Sequence, residues 1–330
     1  MATLATSSQY KDQAALSIDS ELLRAVILPQ KGANLAALIH KSSGKQLLFQ
    51  RPGAEFSSQP YAGTYTSAEN AGMDDMFPTI DACFMHQFPW EGVLLPDHGE
   101  VWSLPWQVQE SNETLRLSVH GVRLPYTLEK ELSFSSPGVL HIHYKLTNHS
   151  PFPFDYQWAA HCMLNCDEGS QILLPEETKR LTIIFSNESV MGSYGDSLDF
   201  PIATLRDGSQ RDMRIMRPTA AQAVCKYYLN DVLCQGWCAV KMPQSQVAVG
   251  FSWPVEKVPY LALLPNEGGW DNASTMHIEP TTSTFDRPDL GKYHNQVSCL
   301  GGFSQQEWYL NISVTSKLEF SRINTKGFFN

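Results

Sequence analysis

The sequence predicts an all-β protein, a large antiparallel β-sandwich, on three observations. The first is a period of two. Leu115, Leu117 and Val119 alternate with Arg116, Ser118 and His120, and Leu140, Ile142, Tyr144 and Leu146 alternate with His141, His143 and Lys145. Val247, Val249, Phe251 and Trp253, and then Trp308, Leu310, Ile312 and Val314, repeat the pattern. Alternation of this kind marks strands with one face on a core. The second is punctuation by turn residues at Ser43-Gly44, Pro137-Gly138, Asp207-Gly208, Gly268-Gly269 and Gly301-Gly302. The third is proline spread through the chain, including Pro78, Pro89, Pro96, Pro105, Pro125, Pro151 and Pro153, which leaves long helices little room. One helix candidate, 220–230, contains Val and Tyr residues that suit a strand equally well.

A length of 330 residues allows two average domains or one large β-rich unit. No stretch reads as a linker and no fixed-period repeat is present, so residues 1–330 are expected to form one domain. Apolar residues at 42% and charged residues at 18% describe a globular chain. With 24 Lys+Arg against 34 Asp+Glu the net charge is −10, and no basic run occurs; nucleic acid and anionic membranes are therefore not expected as partners. No apolar run approaches the roughly 20 residues of a membrane helix. Residues 1–11 lack the basic and apolar regions of a secretory signal, so a cytoplasmic location is expected. Seven cysteines, an odd number in a long chain, read as reduced thiols. The three-residue gaps of Cys162/Cys166 and Cys234/Cys238 do not match a zinc knuckle.

Histidine and carboxylate do most acid–base work near neutral pH, and three segments carry them in telling places. In Leu95-Pro96-Asp97-His98-Gly99-Glu100-Val101-Trp102, His98 sits among turn residues. In Trp158-Ala159-Ala160-His161-Cys162-Met163-Leu164-Asn165, a histidine interrupts an apolar strand-like run, where burial demands a hydrogen-bond partner. In Met276-His277-Ile278-Glu279-Pro280, a carboxylate ends a strand that proline stops.

In that order the three segments resemble those of the aldose 1-epimerase (galactose mutarotase-like) family. Pro29 to Leu38 and Ser43 to Leu48 look like its first hairpin. His98-Gly99 with Trp102 resembles its His-Gly segment, and His161 with Asn165 its His-x-x-x-Asn strand. Ile278-Glu279-Pro280, followed by Pro288-Asp289, is similar to its C-terminal base segment. The resemblance implies a supersandwich fold and cofactor-free interconversion of sugar anomers, with no metal. It also implies His161 as general acid, Glu279 as general base, and His98 and Asn165 on the substrate. A small sugar is then the expected partner, for a monomer or homodimer.

The chain departs from the family where galactose-specific members carry an arginine-containing stretch. Here Gly63-Thr64-Tyr65 is followed by Glu69, Asn70, Asp74 and Asp75. Glu69, Asn70, Asp74 and Asp75 are candidates to bind sugar hydroxyls, Asp75 equally a turn cap, and Trp270, Trp253 and Tyr260 are aromatics for stacking or for the core. A phosphorylated sugar would call for Arg51, Arg123 and Arg287 to come together. The alternatives are a non-catalytic sugar-binding protein on the same fold, lyase chemistry on a polysaccharide, and a metal-dependent cupin-like enzyme using His141 and His143.

Overall fold

The computed structural model describes residues 3–51, 53, 56, 59–65, 71–110, 114–229 and 232–330. These form two compact units, Met1–Cys162 with Thr281–Leu310, and Met163–Pro280 with Asn311–Asn330. The chain passes from one to the other within the strands Ala159–Asn165, Ser274–Thr281 and Gln305–Thr315.

In the first unit one sheet runs in the order Thr3–Tyr10, Gln13–Asp19, Leu23–Leu28, Asn34–His40, Met73–Met76 and the start of Ala159–Asn165. A second runs Gln107–Glu110, Leu115–His120, Tyr126–Ser136, Val139–Asn148 and the start of Gln305–Thr315. Pro137-Gly138 turns the long hairpin of Tyr126–Ser136 and Val139–Asn148, whose register opposes Leu128 to Leu146 and Leu132 to Ile142. The alternation expected there holds: Leu115, Leu117, Leu128, Leu132, Leu140, Ile142, Tyr144 and Leu146 are all buried. Full burial of such a side chain stabilises by about 1.5–3 kcal/mol. The opposite face carries the ion pair of Arg116 with Glu131 and places His143 Nε2 3.3 Å from Glu307 Oε2. His143 is half-exposed, and His141 packs its ring against Tyr309. The His-x-His pair thus belongs to a polar sheet face, and no metal-ligand group among the described residues contains it.

In the second unit the strands Ser274–Thr281, Tyr260–Glu267, Ala223–Leu229, Arg180–Ser186 and Ser197–Asp199 lie in that order. The other sheet contains Gln171–Leu173, Trp237–Met242, Val247–Ser252 and the end of Gln305–Thr315. Val247–Ser252 is buried on both faces, because the C-terminal segment covers the outer one. A Cβ on Gly250 would lie 2.0 Å from Ile323, and Ile323 packs with Trp237, Ala239, Phe320 and Phe329.

Two local expectations are corrected. The described residues of 220–230 hold no α-helix: a 3-10 turn, Thr219–Ala221, leads into the strand Ala223–Leu229, as its β-branched and aromatic content favours. Pro280 does not end its strand, which runs on to Thr281. The one α-helix among the described residues, Pro288–Tyr293, has proline at its first position, where no intrahelical N–H is needed. None of the seven cysteines forms a disulfide, and no helix among the described residues is long and apolar enough to cross a membrane.

Candidate active site

Antiparallel register builds a cluster of titratable residues in the first unit. His161 lies directly opposite Asp74, and Ala160 opposite Asp75, so His161 and Asp74 share one sheet face and Asp75 points to the other. Tyr65 joins them. Its hydroxyl donates to Asp74 Oδ2 at 3.1 Å and lies 3.2 Å from His161 Nδ1. With Asp74 ionised, the single phenolic proton goes to the carboxylate and His161 Nδ1–H donates to the tyrosine oxygen. In that state Nδ1 carries the proton and Nε2 is the nitrogen that exchanges protons. Asn34 Nδ2 donates to Asp74 Oδ1 at 2.7 Å.

His98 completes this cluster. Its ring stacks on Tyr65 with centroids 4.0 Å apart and 10° between planes, and meets the His161 ring edge to face at 5.9 Å. His98 Nδ1 lies 2.9 Å from Asp97 Oδ1, and the Tyr65 N–H donates to Asp97 Oδ2 at 3.1 Å. Burial pushes the Asp97 carboxyl up, yet the hydrogen bond and charge of His98 and the Tyr65 N–H outweigh it and hold it below the usual range. The ionised Asp97 therefore orients His98. Only glycine fits after it: Gly99 has φ +73°, and a Cβ there would lie 2.2 Å from the Phe77 carbonyl oxygen. Glu100 anchors the segment, accepting from the Tyr61 and Tyr126 hydroxyls at 2.6 and 2.9 Å and from the N–H groups of Val122 and Arg123.

Burial raises the Asp74 carboxyl above its ordinary value, against the lowering effects of Lys31, Asn34, Tyr65 and Lys130. A raised folded-state value favours folding in acid. This contribution is complete below the unfolded value, about 4, and is lost as pH rises through the folded one. Asp74→Asn keeps an acceptor for Asn34 and cannot ionise. Urea titrations should therefore show the variant gaining stability relative to wild type as pH rises from about 4 to 7; a constant difference would exclude Asp74 as a source of pH dependence.

The other unit holds a separate group of titratable residues. Glu279 and His277 alternate onto one face of Ser274–Thr281, with a ring nitrogen of His277 and a carboxylate oxygen of Glu279 within 4.8 Å. Glu279 is fully buried, and Oε2 lies 2.9 Å from the Lys226 ammonium, itself buried on Ala223–Leu229. Two opposite charges so placed stay in position, because separating them would strand a charge away from water.

No sequence-family profile matches the chain, and no curated protein sequence does. Solved structures do. The Slr1438 protein of Synechocystis aligns over 94% of this chain and 98% of its own, with TM-score 0.70 and 15% identity. A candidate aldose 1-epimerase of Escherichia coli aligns over 96% and 99%, with TM-score 0.64 and 14% identity. A galactose mutarotase-like protein of Lactobacillus casei aligns over 91% and 100%, with TM-score 0.62 and 16% identity. The fold is galactose mutarotase-like.

On this mutarotase-like fold the residues read from sequence have different fates. His98 and His161 come together around Tyr65. Asn165 ends the strand of His161 and is half-buried. Asp75 does not cap a turn. It is fully buried in the strand Met73–Met76, with Oδ2 2.8 Å from the Lys130 ammonium and Oδ1 accepting from Trp158 Nε1 at 3.1 Å. Glu69 and Asn70 lie outside the described residues. Trp253 and Tyr260 are buried, Trp253 donating to the Val258 carbonyl. Trp270 is half-exposed in the turn before Ser274–Thr281. Arg287 forks onto Asp289, while Arg123 meets Tyr61, so each has its own partner.

Sequence reasoning missed Tyr65, Asp97 and Lys226. The signal for Lys226 was present: one charge inside the apolar strand AVCKYYL poses the same burial problem as His161. Asp97 could have been found as the neighbour of His98. Tyr65 carries no local pattern.

Proposed function

We propose that the chain is an aldose 1-epimerase-like isomerase that interconverts the α and β anomers of an aldose without a cofactor. The fold supports the class. The observation that carries the reading is that His161 and Glu279 are buried and His98 half-buried, each of the three, from distant segments, beside a partner suited to proton transfer or charge balance. Glu279 takes the proton of the anomeric hydroxyl, and His161 Nε2 gives one to the ring oxygen as the C1–O5 bond breaks. The open-chain aldehyde rotates about C1–C2. Attack of the C5 hydroxyl on the other face then returns a proton to His161 as Glu279 protonates the new anomeric oxygen. His98, oriented by Asp97, hydrogen-bonds the sugar, and Lys226 holds the Glu279 carboxylate in place.

Polarimetry of freshly dissolved aldoses tests this. The protein should speed equilibration of at least one sugar above the buffer rate, and absence of acceleration across a broad panel would refute it. Lys226 provides a finer check. Lys226→Met should lower kcat by about 10²-fold through misplacement of the base, with KM little changed, and Lys226→Arg should restore much of it. A Met variant with wild-type kcat would remove Lys226 from the account.

A further inference from the structure

A pair of exposed aromatic rings stands on the same sheet face as Lys226. Phe185 lies opposite Lys226 in the pairing of Arg180–Ser186 with Ala223–Leu229, and residues directly opposite project to one side. Its ring stacks against Trp270 with centroids 5.8 Å apart and 25° between planes. Phe185 is 42% exposed and Trp270 44%, unlike the other two aromatics singled out from sequence, Trp253 and Tyr260.

The pair is held in place by backbone anchoring. Asn266 Nδ2 donates to the Trp270 carbonyl at 3.0 Å, and the Trp270 N–H donates to Asn266 Oδ1 at 2.9 Å. The loop closes through Gly268 N–H to Ala273 O at 2.9 Å. Rings fixed in advance cost a ligand little ordering entropy. Amides flank them: Gln222 Nε2 donates to Asn272 Oδ1, and Asn187 Nδ2 to the Gln222 carbonyl. Two flat apolar faces edged by amides match a pyranose, which has an apolar C–H face and a hydroxyl edge. A protein partner would call for a broader continuous apolar patch.

Distance along the strand says which ring this is. Glu279 lies five residues beyond Ser274, about 16 Å at the strand rise, and Trp270 precedes Ser274 in the turn. One pyranose cannot touch both. The face instead presents the aromatic pair, then the Lys226 ammonium, then Glu279 2.9 Å from it.

We propose that Phe185 and Trp270 form a second sugar subsite, so that the substrate is a reducing disaccharide or longer oligosaccharide. Its reducing ring lies at Glu279 and its next ring stacks on the aromatic pair. This rests on the anomer-converting role of Glu279 argued above.

The test compares kcat/KM for maltose, cellobiose and lactose with that for glucose and galactose. Wild type should prefer at least one disaccharide to its constituent monosaccharide. In Trp270→Ala the ratio of disaccharide to monosaccharide kcat/KM should fall about tenfold, the loss of one stacking contact, and Trp270→Phe should retain most of it. Calorimetric titration with the same sugars should show the same weakening of disaccharide binding in Trp270→Ala. A wild type that prefers monosaccharides, or a Trp270→Ala ratio and disaccharide affinity equal to wild type, would overturn the subsite. Disaccharide binding sensitive to Trp270 without turnover of any sugar would instead overturn the role of Glu279 and leave the aromatic subsite standing.

Discussion

Glu279→Gln should reduce anomer interconversion by about 10²–10⁴-fold, the range in which a positioned general base contributes. The substitution is isosteric. The glutamine carbonyl still faces the Lys226 ammonium, which lies 2.9 Å from the native carboxylate, so the strand Ser274–Thr281 keeps its packing. What disappears is basicity, because an amide cannot take the proton of the anomeric hydroxyl. The change should therefore appear in kcat, with a melting temperature close to wild type. Glu279→Ala should lose stability as well, because it removes the carboxylate from a buried ammonium, a loss that typically costs about 3–5 kcal/mol. A glutamine variant with wild-type turnover would show that proton abstraction occurs elsewhere.

Lys130→Met should destabilise the protein by about 3–5 kcal/mol, because it leaves the Asp75 carboxylate buried without its cation. Both charged groups are inaccessible: the lysine side chain is 1% exposed and the aspartate 0%, at 2.8 Å. Lys130 also donates to the Ala33 carbonyl at 2.7 Å and lies 4.9 Å from the centre of the Trp106 ring. Methionine approximates its volume and restores none of the charge. Adding Asp75→Leu should recover much of the loss, since a buried pair replaced by apolar side chains is often close to neutral. About 1–3 kcal/mol should remain, because Trp158 Nε1 loses its acceptor. Urea unfolding of the three variants reads these differences directly, and a single variant as stable as wild type would contradict the assignment.

The sheets were legible in the sequence because one-sided burial writes itself as alternation, from Leu115 to Val119 and from Leu140 to Leu146. Strands buried on both faces were less so. Ala223–Leu229 carries no alternation, which is why it also read as a helix and why its lysine passed unnoticed. Asp74 and Asp75 show a different limit. They are neighbours in sequence, and only the pairing of Asp75 with Ala160 and Asp74 with His161 decides which faces the imidazole and which enters the core. Register is a property of two strands and cannot be read from one. Trp270 belongs to the same class: its type suggested stacking on a sugar, and only the fold sets it in a turn with its ring against Phe185. Tyr65 lies outside the named strands, on a stretch without periodicity, and nothing local announces that its hydroxyl joins Asp74 to His161.

The most direct test of the central claim is exchange NMR between the α and β anomeric protons of a sugar, recorded with wild type, Glu279→Gln and His161→Gln at equal concentration. Exchange should exceed the buffer rate with wild type and fall near the buffer rate with each variant while both remain folded. Exchange at the wild-type rate in either folded variant, or no acceleration of any aldose by wild type, would contradict that claim.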